Sequence, residues 1–411
     1  MVKESEWIFI GSVYPESWEE RFDVGSSPTI DVQRSLLAAM GRAGWKANTI
    51  LTTPPISRFP KDRFQSFPRS LEGRVEGQED ASLISLGWNN LEPLKTIGIT
   101  SDTRAFLRRW SERVRREGKQ PRVLVYNLGP THEQGGFLAG MVRALRLPTF
   151  PIVTDLDYPG DQSVSIRRQR FRWQVRLLKS VNGFAAFNPR VIEDFGGGKR
   201  TLHLSGIVPD VSLFETLNNL PPKGPDDQPP LFLYAGSLNR PRGIQLLLDA
   251  FRGLPPGCAR LRVTGRGPDE QMVRRAVDED PSIEYGGFLE SNEERIQKIR
   301  EADILVNPHL IDLPEARYLF PSKLGEYLVS GRLVVTTLLP GMDGFPLDSM
   351  VVSKSDSVES FKDALQAALE MNGDVRKAQA EKARAWARVA FDWDQNAEKL
   401  LSFLREWESS L

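Results

Sequence analysis

Short apolar runs alternate with longer segments of helical period along the whole chain. From the amino terminus the order is WIFIGSV, a helical pattern over 30–44, NTILTT, a helix near 103–116, RVLVYNL, a helical pattern over 135–145, FPIVTDL, a helix near 164–178, and GFAAFN. Strand-helix-strand order of this kind predicts a mainly parallel sheet covered by helices. The stretch 54–78 is rich in Pro, Arg and Phe and has no period, so a long surface loop is expected there. After TLHLSGIV comes NNLPPKGPDDQPP, which holds neither a helix nor a central strand and marks a linker. Alternation then restarts with PLFLYAGS, a helix 245–251, ARLRVTG, a helix 270–277, SIEYGGF, a helix 292–302, DILVNP, a helix 321–330, LVVTT, MVVSK, and helices 358–371 and 375–389. The expected class is α/β, with two doubly wound domains at 1–218 and 231–390, a linker at 219–230, and a terminal helix at 391–411 that crosses back to the first domain. Ligands of such sheets bind at the carboxyl ends of the strands, so two facing sheets place the site in a central cleft.

A chain of 411 residues suits two cores rather than one. No apolar run approaches the roughly 18 residues that span a bilayer, and the start lacks the pattern of a secretory signal, so a cytoplasmic protein is expected. Cys258 is the single cysteine, and His132, His203 and His309 have no metal-binding spacing, so no metal site is expected. Net charge is zero but unevenly spread. Residues 1–200 hold about 30 Lys and Arg against about 22 Asp and Glu, which leaves about −8 for the remainder. Two segments, 104–119 and 167–179, carry the excess. In the second, Phe171, Val175 and Leu178 recur at helical spacing beside Arg167, Arg168, Arg170, Arg172, Arg176 and Lys179. Two readings stay open: a peripheral contact with an anionic membrane, or an amphipathic helix with a solvated basic face. No motif for reading nucleic acid accompanies the charge.

The segment LPEARYLFPSKLGEYLVSGRLVVTT carries the most chemistry. Pro321 suits a helix's first turn and Gly331 its end, so PSKLGEYLVSG is a short helix before the strand LVVTT. Ser322, Lys323 and Glu326 share one face, with Leu324 and Leu328 on the buried side. Free N–H groups, the helix dipole, the Ser322 hydroxyl and the Lys323 ammonium would attract a diphosphate, while the Glu326 carboxylate can accept from vicinal hydroxyls of a ribose. A capped helix with a Lys323–Glu326 surface pair fits the same spacing.

The ordered series AGSLNRPRGIQLLLDAF, RLRVTGRGPDE, SIEYGGF, ADILVNP and FPSKLGEYLVSGRLVV resembles the donor domain of glycosyl transferases group 1, the retaining family 4 type with the GT-B fold of two Rossmann-like domains. That resemblance implies a donor site built from Gly236, Ser237, Arg242, Gly265, Phe288, Ser322, Lys323, Leu324 and Glu326. Arg242 would contact the donor's diphosphate, Gly265 would let backbone approach the ligand, and Phe288 would pack near the nucleobase, though a core Phe fits equally. The family's Arg after the strand glycine is Ser237 here, and the first of its two glutamates is Tyr318. In the first domain the resemblance implies that Gly25, Ser26 and Ser27 meet the diphosphate or cap a helix. Where relatives have a histidine near the sugar this chain has Asn127, with His132 a few residues on. Asp155 and Asp157 could orient acceptor hydroxyls or belong to a surface turn. Trp393 would anchor the terminal helix.

The implied reaction transfers a sugar from a nucleoside diphosphate sugar to a hydroxyl of a glycan or lipid-linked acceptor, with retention. Arg242, Lys323 and the helix amino terminus would stabilise the leaving diphosphate, with His132 a candidate beside them and no cofactor or metal required. The departures at Ser237, Tyr318 and Asn127 keep a non-catalytic partner subunit in view, and an epimerase or hydrolase on the same fold is a further alternative.

Overall fold

The computed structural model describes residues 4–15, 17–18, 28–53, 65–69, 73–91, 94–127, 135–156, 165–206, 208, 211–221 and 228–411. The chain divides into two compact units, Met1–Leu204 with Trp393–Leu411, and Ser205–Asp392.

The first unit holds β1 (Ser5–Gly11), β2 (Thr49–Thr52), β3 (Ser66–Arg69), β4 (Ser82–Asn89), β5 (Gln120–Tyr126), β6 (Thr149–Val153), β7 (Gly183–Ala186) and β8 (Arg200–His203). Their order in the sheet is β3-β4-β2-β1-β5-β6-β7-β8, parallel except for β3, which pairs antiparallel with β4 at the edge. The second unit holds β9 (Leu231–Ala235), β10 (Arg260–Thr264), β11 (Ile283–Tyr285), β12 (Ile304–Asn307), β13 (Leu333–Thr337) and β14 (Val351–Ser353), in the order β11-β10-β9-β12-β13-β14 and parallel throughout. Strands β9, β12 and β13 are buried at every position, as parallel strands covered on both faces must be. Two sheets of this kind, wound with helices, make the fold α/β of the GT-B class with Rossmann-like units.

Two strands lie where the sequence pattern shows none. β3 falls inside the expected loop 54–78, of which 54–64 and 70–72 lie outside the described residues, and β4 is a half-buried strand that pairs with both β2 and β3. The helix expected from 103 begins at Leu94, and helices Pro189–Phe195 and Val211–Asn218 are additional. The last of these belongs to the second unit, not to the first as the pattern suggested. Arg384 donates to the carbonyl of Leu220 and Arg332 to that of Pro221 (2.7 and 3.1 Å), which ties the chain after this helix to the second core. The terminal helix Trp393–Ser409 packs in the first unit, with Trp407 against Phe150 and Trp7 at 5.3 and 6.2 Å between ring centres and Trp393 buried.

Candidate functional site

In the second sheet the strand order reverses between β9 and β12, and the carboxyl ends of these neighbours form the switch point where doubly wound sheets bind ligands. Both ends carry side chains able to bind an anion. β9 runs into a one-turn helix, Arg240–Arg242, closed by Gly243 at φ 71°. β12 runs into Pro308 and His309. The two turns are pressed together: a Cβ on Gly243 would lie 1.6 Å from the Pro308 carbonyl oxygen, and the Leu310 N–H donates to Pro241 O at 3.1 Å. Across this seam the Arg242 guanidinium donates to Nε2 of His309. His309 is 4% exposed, and burial, followed by the Arg242 charge, holds its pKa well below the ordinary 6.5. The ring is therefore neutral with Nε2 as acceptor, and Nδ1, which then carries the proton, has no partner among the described residues.

The next turn is the helix Ser322–Val329. Lys323 Nζ lies 2.9 and 3.1 Å from the two carboxylate oxygens of Glu326. Arg295, from the helix Asn292–Glu301, reaches the same carboxylate at 3.5 Å. Burial pushes the Lys323 pKa down; Glu326 opposes that shift, and the charges of Arg295 and Arg242 reinforce it. Two cations thus share one carboxylate while a third, Arg242, acts on Lys323, and positive charge is in excess. Such a cluster is suited to an anion with more than one charge, such as a diphosphate.

Several expectations change here. Glu326 is 1% exposed and bound by two cations, so it is neither a surface pair nor a carboxylate presented to ribose hydroxyls. The Leu324 side chain is fully buried and its N–H donates to Pro321 O at 2.9 Å, which leaves it nothing with which to meet a ligand. Ser322 is exposed, but its N–H is taken by Phe320 O at 3.0 Å and Pro321 has none, so the turn offers fewer free amides than expected. Gly236 and Gly265 bring the ends of β9 and β10 into contact: Gly265 has φ 135°, and a Cβ on it would sit 1.8 Å from Gly236 O. Ser237 is exposed at the same turn. Phe288 is no core residue, being 41% exposed with the Arg266 guanidinium 4.0 Å above its ring. Tyr318 is buried.

In the first unit Asp155 is exposed after β6, and Asn127 follows β5 at φ 49°, its N–H on Ile152 O. Gly25, Ser26, Ser27, His132 and Asp157 lie outside the described residues. No group of three potential metal ligands occurs among the described residues, and no described helix is long and apolar enough to cross a membrane.

Sequence reasoning passed over two members of the site. Arg295 stands one turn before Ile299, which is fully buried, so it occupies an inward position where an apolar residue would be ordinary. That offset was the available signal. His309 had no local signal, because its partner is 67 residues away.

Residues 229–371 match the family model of glycosyl transferases group 1, the family to which the motif series pointed. No curated protein matches the chain by sequence. Among solved structures the chain is similar to sucrose-phosphate synthase from Thermosynechococcus elongatus (TM-score 0.66, 15% identity, 99% of this chain and 100% of that one). It is also similar to the α,α-trehalose 6-phosphate synthase of Burkholderia multivorans (0.66, 12%, 99% and 98%). A third is the HepE protein of Anabaena, crystallised in complex with UDP (0.61, 14%, 99% and 100%). At these identities the likeness is one of fold.

Proposed function

Starting from a second unit that matches glycosyl transferases group 1, we propose that this protein transfers a sugar from a nucleoside diphosphate sugar to a hydroxyl acceptor with retention of configuration. One observation carries the reading: Lys323 and Arg295 share a single carboxylate next to the switch point of the donor-type sheet, and the charge of Arg242 acts on Lys323 from the same turn cluster. The HepE structure holds UDP on the same fold, which supports a nucleoside diphosphate as the group bound. In this mechanism the protein supplies no nucleophile. Arg242, held by His309, and Lys323 take up negative charge as the sugar–phosphate bond lengthens, and an oxygen of the departing diphosphate receives the acceptor's proton on the same face. Catalysis is then positioning and electrostatic stabilisation. The cations offset the leaving group's charge without a divalent ion. Glu326 serves as counter-ion to Lys323 and Arg295, which keeps these two half-buried cations tolerable side by side before the donor arrives.

A non-catalytic binding subunit remains the second reading, favoured by the engagement of Glu326 with protein cations and by Ser237 and Tyr318 at the family's charged positions. Thermal shift against UDP, GDP and ADP, followed by donor-sugar hydrolysis, decides between them. Stabilisation by one diphosphate with slow hydrolysis of its sugar is expected. Donor hydrolysis or transfer excludes the subunit, and no stabilisation by any nucleoside diphosphate refutes the transferase and favours the subunit.

A further inference from the structure

The helix Ser165–Ser180 in the first unit has sixteen residues and no acidic one. Its inner side is settled: Gln174, Leu177 and Leu178 are buried. On the opposite side Arg168, Arg172, Arg176 and Lys179 are all exposed, spaced by four, four and three, so they form one stripe about 16 Å long. None of the four has a carboxylate partner among the described residues. This arrangement costs stability twice, since like charges one turn apart repel and there is no acid in the first turn to complement the dipole.

The other basic helix, Leu94–Arg116, differs in carrying two acids, Asp102 and Glu112, among its arginines and in having its last turn tied into the protein, although Arg104 and Arg108 upstream are exposed as the stripe is. In that last turn, where the dipole favours cations, Arg113 pairs with Glu6 and Glu117, Arg115 donates to the carbonyls of Leu145 and Arg146, and Arg116 donates to the Glu112 carbonyl. The stripe on Ser165–Ser180 has neither an acid on its own helix nor an ion pair among the described residues. A convex helix face cannot enclose a small anion, but it lies flat on a charged layer. Phe171, Trp173 and Val175 are half-buried beside the stripe, so apolar side chains, one of them the amphipathic Trp173, adjoin the charge as they do on helices that rest at a membrane interface.

We propose that Arg168, Arg172, Arg176 and Lys179 seat the first unit on the anionic headgroups of a lipid bilayer. Each cation close to such a surface is worth roughly a five-fold change in partitioning. The inference stands apart from the transferase reading, because its readout is binding alone.

The test is co-sedimentation of the full chain with vesicles of phosphatidylcholine, with and without about 30% phosphatidylglycerol, at about 0.1 M salt. Binding is expected only to the anionic vesicles, falling at least ten-fold at about 0.5 M salt. Arg172→Glu/Arg176→Glu, with unchanged circular dichroism and melting temperature, should lose binding by about a hundred-fold or more. Arg104→Glu/Arg108→Glu carries the same change of charge on the exposed face of the other basic helix and should retain it. Four results would overturn the proposal: equal binding to neutral vesicles, no binding to anionic ones, equal loss in the two variants, or tighter stripe-dependent binding to a DNA duplex than to vesicles at the same salt.

Discussion

Replacing His309 tests whether Arg242 is held ready for a diphosphate or merely lies near one. His309→Ala removes the acceptor of Arg242 but leaves the backbone ties of its segment, the Leu310 N–H on Pro241 O at 3.1 Å and the Thr337 hydroxyl on the His309 carbonyl at 2.7 Å. The turn should therefore stay in place while the guanidinium loses its orientation. Two effects compete. Removing the ring frees an N–H for the ligand, yet a guanidinium has five such donors and His309 occupies one, so little is gained. Against that, a hydrogen bond from a charged donor is worth about 1.5–3 kcal/mol, or roughly a 10- to 150-fold loss of affinity when preorganisation is lost.

Loss therefore wins. Calorimetric titration with the diphosphate that stabilises the wild type should show a loss in that range for His309→Ala. His309→Gln, whose amide oxygen can accept the same bond, should recover most of it. Arg242→Ala should cost at least as much as His309→Ala, and the double variant Arg242→Ala/His309→Ala no more than Arg242→Ala alone, because the ring acts only through the guanidinium. Additive losses, or wild-type affinity in His309→Ala, refute the reasoning.

Three further outcomes follow from the second unit. The lowered pKa of His309 means the unfolded chain binds a proton that the native one refuses, so this contribution to stability is complete above the ordinary 6.5 and is lost as pH falls below it; the decline in melting temperature should be shallower in His309→Gln. Gly265→Ala, which needs φ 135° and places a Cβ 1.8 Å from Gly236 O, should cost on the order of 3 kcal/mol in denaturant melts and weaken diphosphate binding as β9 and β10 part. Arg384→Met strands the carbonyls of Leu220 and Ser330, each now accepting at 2.7 Å, and should destabilise by about 2–4 kcal/mol without changing affinity.

What could be read in advance follows from how far each signal travels along the chain. Strands β9, β12 and β13 are short apolar runs buried on both faces, and composition alone marks them. β4 carries Ser, Gly and Asn among its apolar residues and is half-buried, so it takes its identity from pairing with β2 and β3. The helix Val211–Asn218 directly precedes the Pro-rich stretch and looks like part of it; only its packing on the helices Asn292–Glu301 and Ser322–Val329 reveals it. At the site, the spacing of Lys323 and Glu326 fixed their shared face correctly, because a helix face is a local property. What covers that face is not local. Arg295 arrives from another helix and turns an apparent surface carboxylate into a buried counter-ion.

That difference makes Glu326→Gln decisive, since the two roles of the carboxylate predict opposite patterns. As a ribose acceptor, Glu326 would matter to a nucleoside diphosphate and not to inorganic pyrophosphate, so the amide would weaken the first and spare the second. As the counter-ion seen here, the carboxylate offsets part of the field of Lys323 and Arg295, and its neutralisation leaves two cations close together with no partner charge. The free protein should then lose about 2–4 kcal/mol of stability. Any polyanion would be bound more tightly, pyrophosphate and nucleoside diphosphate alike, because it restores the missing charge. Melting temperature and two titrations suffice for the comparison. A variant of unchanged stability that binds pyrophosphate normally but the nucleoside diphosphate poorly would return Glu326 to the ribose and remove the counter-ion argument.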